Sequence, residues 1–168
     1  MSVGLVVVSH SAKIAEGVVE LAGQMAGEVR IQPAGGTDDG GIGTDATLIA
    51  EAIAAADEGE GVLVLVDLGS AVLSAQLAID ELVEEKARGR VRIAEAPVVE
   101  GAVVAAIQAS TGSSLDEVDR AMFLAEMGQT EPGLARLIRA AFALLGLRAL
   151  YFLLNSALRR LVHLGYGL

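Results

Sequence analysis

Two short segments of this sequence carry side chains that could act on a phosphoryl group. His10 stands between two serines, directly after a hydrophobic run, and Asp67 ends a second such run. A neutral imidazole is a good nucleophile near neutral pH, and a carboxylate can orient its ring through the nitrogen that does not attack. We therefore interpret His10 as a candidate nucleophile and Asp67 as its candidate orienting residue. Hydroxyl and backbone N–H groups can bind phosphoryl oxygens, which makes further candidates of Ser9, Ser11, Gly69 and Ser70.

A glycine-rich segment provides a third candidate region. Residues 34–45 include five glycines in twelve positions, which predicts a loop. Backbone amides without side chains can bind an anion or let a partner approach closely. The alternative is that the glycines only permit positive φ in a long turn. The candidate phosphate- or partner-binding residues of this loop are Gly36, Thr37, Gly40, Gly41 and Gly43.

Structural roles remain open for each of these residues. His10 can be an ordinary turn residue, and Asp67 can be a helix N-cap or a solvated turn residue. The second histidine, His163, lies between leucines and is interpreted as a helix-face residue. Two distant histidines and no cysteine do not form a metal cluster, so no metal site and no cofactor are predicted.

Composition and charge exclude several classes of protein. The net charge of -10 argues against nucleic-acid binding through a basic face. The absence of cysteine excludes disulfides and thiol nucleophiles. The first residues have no basic region typical of a secretory signal, so a cytoplasmic location is expected.

The hydrophobic pattern predicts an α/β fold. Continuous aliphatic runs at residues 3–8, 29–32, 61–66 and 91–94 are typical of strands buried on both faces. Helical spacing begins at Ala12 and recurs over residues 46–56, 71–87, 98–109 and 114–127. Ser11 and either Thr44 or Asp45 are expected N-caps, and Ser114 with Glu117 has the spacing of a capping box.

This alternation indicates a three-layer sandwich with a central, mostly parallel four-stranded sheet and helices on both faces. Reactive groups of such sheets collect beyond the carboxyl ends of the strands. His10, the glycine-rich loop and residues 67–70 are all expected there.

Residues 129–168 differ from the rest of the chain. Residues 130–168 hold five Arg and one Glu, whereas residues 1–129 hold 7 basic and 21 acidic side chains. We expect a basic, apolar helical tail that adds a helical hairpin to the domain. A membrane-surface helix with Arg on its polar face is a second interpretation, and a sequence of non-native origin is a third.

Four motifs resemble one bacterial family. Residues 6–11 (VVVSHS) are similar to the phosphorylation site of mannose-type enzyme IIA domains of the phosphotransferase system. The loop at residues 35–44 (GGTDDGGIGT), residues 66–71 (VDLGSA) and residues 96–102 (APVVEGA) resemble the phosphocarrier subunits, called DhaM, of phosphotransferase-dependent dihydroxyacetone kinases. The resemblance implies a mannose-type IIA domain at residues 1–128.

The resemblance also implies a function. His10 would accept a phosphoryl group from the carrier protein HPr and pass it to ADP, held with magnesium on a nucleotide-binding kinase subunit, which supports glycerone phosphorylation. It implies that Asp67 lies near the active histidine, that residues 37–43 form the rim of the site, and that the domain is a homodimer. Two other functions stay open: a IIA domain of a sugar transporter, and a non-catalytic interaction module.

Overall fold

The structure is a computed structural model that describes the backbone of residues 1–128 and the side chains of residues 1–122. Its centre is a sheet of four strands in the order β2-β1-β3-β4, and every pair of neighbours is parallel. The predicted parallel sheet is therefore confirmed. The strands are Gly4–Ser9 (β1), Ile31–Gly35 (β2), Val62–Val66 (β3) and Val91–Ile93 (β4).

Helices connect the strands and continue after the last of them. The helices are Ala12–Met25 (α1), Ala46–Ala56 (α2), Gly69–Leu77 (α3), Glu85–Arg88 (α4), Val98–Ser110 (α5) and Leu115–Gly128 (α6). A π-helical turn, Ala78–Leu82, follows directly on α3.

Alternate residues of the central strands build two separate cores, which gives the predicted three layers. On one face, Leu5, Val7 and Leu63 pack in a cluster with buried residues of α1, α5 and α6. On the other face, Val6 and Val64 pack in a cluster with buried residues of α2 and α3. β1 and β3 are buried on both faces because helices cover both sides of a parallel sheet.

The second strand differs from its prediction. It was expected at residues 29–32, ahead of the loop, but it occupies Ile31–Gly35. Pro33 lies within it, paired with Val7. β2 is an edge strand with β1 as its neighbour, and proline is tolerated there because one side of an edge strand needs no ladder hydrogen bond.

The helix expected at residues 71–87 is wrong as a single element. α3 begins two residues earlier, at Gly69, and the π-helical turn closes with a bond from the Val83 amide to the Ala78 carbonyl. Val83 is extended, and a new short helix begins at Glu85. No glycine or proline marks this break, so the sequence offers no local signal for it.

The expected caps form in part. Asp45 caps α2 by accepting a hydrogen bond from the Thr47 amide. Ser11 occupies the N-cap position of α1, but its side chain makes no capping bond. Glu117 accepts hydrogen bonds from the amide and hydroxyl of Ser114, which is the Glu half of a capping box.

The predictions for residues 129–168, including the helical tail, its membrane contact and His163, lie outside the described residues. Within the described residues, no helix has the length and apolar character needed to cross a membrane.

Candidate functional site

The candidate site lies where β1 and β3 end. These strands are neighbours, and Val8 pairs with Val66 in their last register position. His10 therefore leaves β1 next to the point where Asp67 leaves β3. The parallel arrangement brings the two predicted residues together although 57 positions separate them in sequence.

Asp67 contacts His10 through both carboxylate oxygens. Its Oδ1 lies 3.0 Å from the ring Nδ1, and its Oδ2 accepts the backbone N–H of His10 at 2.9 Å. Oδ2 also accepts the Ser9 hydroxyl at 2.9 Å, and Oδ1 accepts the Leu68 amide at 2.7 Å. Four donors thus fix one carboxylate, which in turn fixes the plane of the imidazole ring.

These contacts keep Asp67 ionised. Partial burial acts to raise the pKa of Asp67, but the donors from His10, Ser9 and Leu68 outweigh it, so the pKa lies below its ordinary value. A carboxylate is only an acceptor, which makes Nδ1 of His10 the donor in their contact. The neutral ring then carries its lone pair on Nε2.

Nε2 faces the first turn of α3. The Ser70 hydroxyl lies 2.8 Å from Nε2 and donates to it when Nδ1 carries the ring proton. Ser70 lies in the first turn of α3, because this helix begins at Gly69 and not at residue 71 as the hydrophobic pattern predicts. Amides in the first turn of a helix lack partners within that helix and attract negative charge.

The two serines beside His10 occupy different environments. Ser9 is fully buried, and its hydroxyl donates to Asp67 while it accepts the Ser11 amide at 3.1 Å. Ser11 is half-buried at the start of α1. Ser9 therefore contacts the carboxylate rather than the open face of the ring.

The glycine-rich loop is joined to the same turn. The Gly36 amide donates to the Ser9 carbonyl at 3.1 Å, and the Gly43 amide donates to the His10 carbonyl at 2.9 Å. Gly36 and Gly40 have φ of 77° and 80°, a region that favours glycine. A tight turn begins at Thr37. The Thr37 carbonyl accepts a hydrogen bond from the Gly40 amide, and the Thr37 amide donates to the Gly41 carbonyl.

One contact at the site was not predicted. The hydroxyls of Thr44 and Ser74 lie 2.7 Å apart and connect the end of the loop to α3. The sequence predicts Thr44 only as a candidate cap and indicates no role for Ser74. Their 30-residue separation gives no sequence signal, but with α3 in place Ser70 and Ser74 are four residues apart on one helix face.

Exposed apolar side chains flank the site. Ile42, next to Gly43, is 80% exposed, and Leu68, next to Asp67, is 59% exposed. On α3, Leu73 is 73% exposed. Among the described residues, no group of three or more His, Cys, Asp or Glu could hold a metal ion.

Residues 4–119 match the model of the EIIA-man family, described as the PTS system fructose IIA component. Two curated relatives are phosphoryl donor subunits DhaM of PEP-dependent dihydroxyacetone kinases. The one from Escherichia coli is 45% identical over 69% of this chain and 25% of that protein. The one from Listeria innocua, of kinase 2, is 41% identical over 69% of this chain and 93% of that protein.

The chain thus spans about a quarter of the length of the Escherichia coli relative and nearly all of the Listeria innocua one. Among solved structures, the unknown function protein EF1359 is similar, with a TM-score of 0.66 and 37% identity. That similarity covers 73% of this chain and 93% of that one.

Proposed function

Because this chain belongs to the EIIA-man family, we propose that it is a histidine phosphocarrier, the phosphoryl donor subunit of a PEP-dependent dihydroxyacetone kinase. The family predicted from the sequence is confirmed. The observation that supports the proposal most directly is the pair of contacts to the His10 ring, with Asp67 at Nδ1 and Ser70 at Nε2.

In the first step, His10 accepts a phosphoryl group from the phosphohistidine of HPr. The Ser70 hydroxyl turns from Nε2 to an oxygen of the incoming phosphoryl group, the Nε2 lone pair attacks phosphorus, and the Nε2–P bond forms as the bond from phosphorus to the donor imidazole breaks. The donor ring keeps that electron pair. Positive charge grows on the His10 ring, and the ionised Asp67 at Nδ1 stabilises it without taking the proton.

In the second step, the phosphoryl group leaves for ADP. A terminal oxygen of ADP, held with magnesium on the nucleotide-binding kinase subunit, attacks phosphorus as the Nε2–P bond breaks. The electron pair returns to Nε2, so His10 is restored as the neutral ring. This chain is a carrier in the phosphotransferase reaction, and we propose no cofactor of its own.

The residues around Nε2 are suited to hold the phosphoryl group between the two steps. The Ser70 hydroxyl lies beside the nitrogen that carries it, and the amides of Gly69 and Ser70, at the start of α3, are the proposed further donors. Ser9 acts through Asp67, and Ser11 begins the helix that follows His10. The loop residues Thr37, Gly40 and Gly41 form a rim that faces the approaching partner.

Partner proteins bind over this rim. The exposed Ile42, Leu68 and Leu73 supply apolar contact area beside His10, which is a typical feature of a protein-binding surface. The same surface serves HPr and the kinase subunit in turn, because both must reach Nε2. We further propose that the chain is a homodimer and acts in the cytoplasm.

The choice of acceptor tests this proposal against a IIA domain of a sugar transporter. The chain, phosphorylated by HPr, is mixed either with the nucleotide-binding kinase subunit and ADP–magnesium or with a IIB protein of a mannose-type transporter. We expect formation of ATP in the first mixture and no transfer in the second. Transfer to the IIB protein alone would contradict the kinase assignment.

A further inference from the structure

A hydroxyl pair links the glycine-rich loop to the helix that carries Ser70. Thr44 Oγ1 and Ser74 Oγ lie 2.7 Å apart, and both residues are half-buried. Neither side chain contacts the His10 ring, so this pair takes no direct part in the reaction steps above. Each residue of the pair nevertheless lies close in sequence to a residue that contacts His10: Gly43 next to Thr44, and Ser70 one helical turn before Ser74.

A series of contacts begins and ends at His10. The amide of Gly43, the neighbour of Thr44, donates a hydrogen bond of 2.9 Å to the His10 carbonyl. Thr44 contacts Ser74, which lies one helical turn after Ser70. The Ser70 hydroxyl in turn contacts Nε2 of the His10 ring at 2.8 Å.

Each element joined by the pair has its own anchors in the domain, but among the described residues no other hydrogen bond joins the loop directly to α3. The loop includes Gly36 and Gly40 at positive φ, and glycine-rich backbone loses the most conformational freedom on folding. α3 has nine residues, and only small side chains, Ala71 and Ala75, are buried along it. Loss of this one hydrogen bond therefore removes the direct polar link between the loop and α3.

We propose that Thr44 and Ser74 are positioning residues, whose hydrogen bond holds the glycine-rich loop against α3 and thereby keeps Ser70 at Nε2 of His10. This inference rests on the proposed phosphocarrier function for its effect on rate, but not for its effect on geometry. The pair acts through Ser70, so its contribution disappears when the Ser70 hydroxyl is absent.

The test compares Ser74→Ala and Thr44→Val, each alone and combined with Ser70→Ala, in the full chain. Single-turnover transfer from phosphorylated HPr is expected to slow by about three- to tenfold in each single variant, the range given by one lost hydrogen bond. In the Ser70→Ala background, neither substitution is expected to slow transfer further. Ser74→Thr, which keeps the hydroxyl, is expected to retain the wild-type rate.

Two readouts report on the geometry without any transfer. Ser74→Ala is expected to speed hydrogen exchange of the Gly43 amide and to change the ¹⁵N chemical shift of His10 Nε2. Thr47→Val is the matched control, because Thr47 is exposed and lies three residues from Thr44. This control should change neither readout.

The outcomes separate the inference from the proposed function. An unchanged Nε2 shift in Ser74→Ala and Thr44→Val overturns the positioning role, and so do rate effects that multiply with that of Ser70→Ala. A wild-type chain that HPr cannot phosphorylate contradicts the function instead, and the exchange and shift measurements still decide the role of the pair.

Discussion

Asp67 contacts His10 twice, with Oδ1 at 3.0 Å from Nδ1 and Oδ2 at 2.9 Å from the backbone nitrogen. One carboxylate therefore fixes both the ring and the peptide that carries it. The contact determines which nitrogen keeps the proton and which one faces solvent and the start of α3. The chemistry that we propose follows from this one relationship.

The ring tautomer can be measured directly. We expect the neutral His10 ring to carry its proton on Nδ1, because the acceptor beside Nδ1 is an ionised carboxylate. ¹⁵N spectra of the neutral imidazole should therefore show a protonated Nδ1 and a bare Nε2. The opposite tautomer would exclude attack by Nε2.

Removing the charge of Asp67 should slow transfer without unfolding the domain. Asp67→Asn keeps the size of the side chain but cannot stabilise positive charge on the ring, and its amide can favour the wrong tautomer. We expect the rate of phosphoryl transfer to fall by about 10²-fold. Rapid-quench measurement with phosphorylated HPr gives this rate.

Asp57→Asn is the matched control for that variant. Asp57 is also a hydrogen-bonded carboxylate, but its partners are Arg90, at 2.8 Å, and the Gly59 amide, and none of them contacts His10. We expect this variant to transfer at the wild-type rate. Equal losses in the two variants would mean that the effect of Asp67 is not specific to the ring.

Asp57 should instead contribute to the pH dependence of the free energy of unfolding. The Arg90 guanidinium holds the pKa of Asp57 below its ordinary value of 3.8, although burial acts in the opposite direction. A lowered folded-state pKa adds stability that is complete above 3.8 and is lost as pH falls through the folded value. Denaturant unfolding of wild type and Asp57→Asn should therefore differ at pH 7 and converge in acid.

A side chain at position 35 is expected to be destabilising for steric reasons. A Cβ there would lie 2.7 Å from the Ser11 carbonyl oxygen and 2.8 Å from the Ala15 Cβ, where β2 passes the first turn of α1. Gly35→Ala should lower the free energy of unfolding by about 1–3 kcal/mol and slow transfer, because the turn that holds His10 must shift.

Gly17→Ala, in the helix that Gly35 packs against, is expected to have the opposite effect. A Cβ at Gly17 meets nothing within 4 Å, and the residue is exposed inside α1. Alanine is the better helix former, so this substitution should raise the free energy of unfolding by about 0.5–1 kcal/mol. Similar losses in both variants would show that the cost at Gly35 is not steric.

The fold could be predicted because its central strands are buried on both faces. Val6, Val7 and Val8 form a continuous run followed at once by helical spacing, a pattern that indicates a strand and its turn. The edge strand was harder to place, because Pro33 and Gly35 are typical of loops. The π-helical turn after α3 could not be predicted, since no glycine or proline stands at the break.

The contacts within the candidate site could be predicted only where single residues are distinctive. His10 and Asp67 each follow a buried strand, and parallel topology brings the ends of such strands together. The pair of Thr44 and Ser74 gave no such signal, because serine and threonine are common and their contact depends on the side-chain geometry of two surface elements.

Measurement of intact mass tests directly whether His10 itself carries the phosphoryl group. The wild-type chain and His10→Gln are incubated with enzyme I, HPr and phosphoenolpyruvate, and folding of both is checked by circular dichroism. We predict that the wild type gains one acid-labile phosphoryl group and that the variant, equally folded, gains none. An equal gain in the variant, or no gain by the wild type with an active donor chain, would contradict the phosphocarrier assignment.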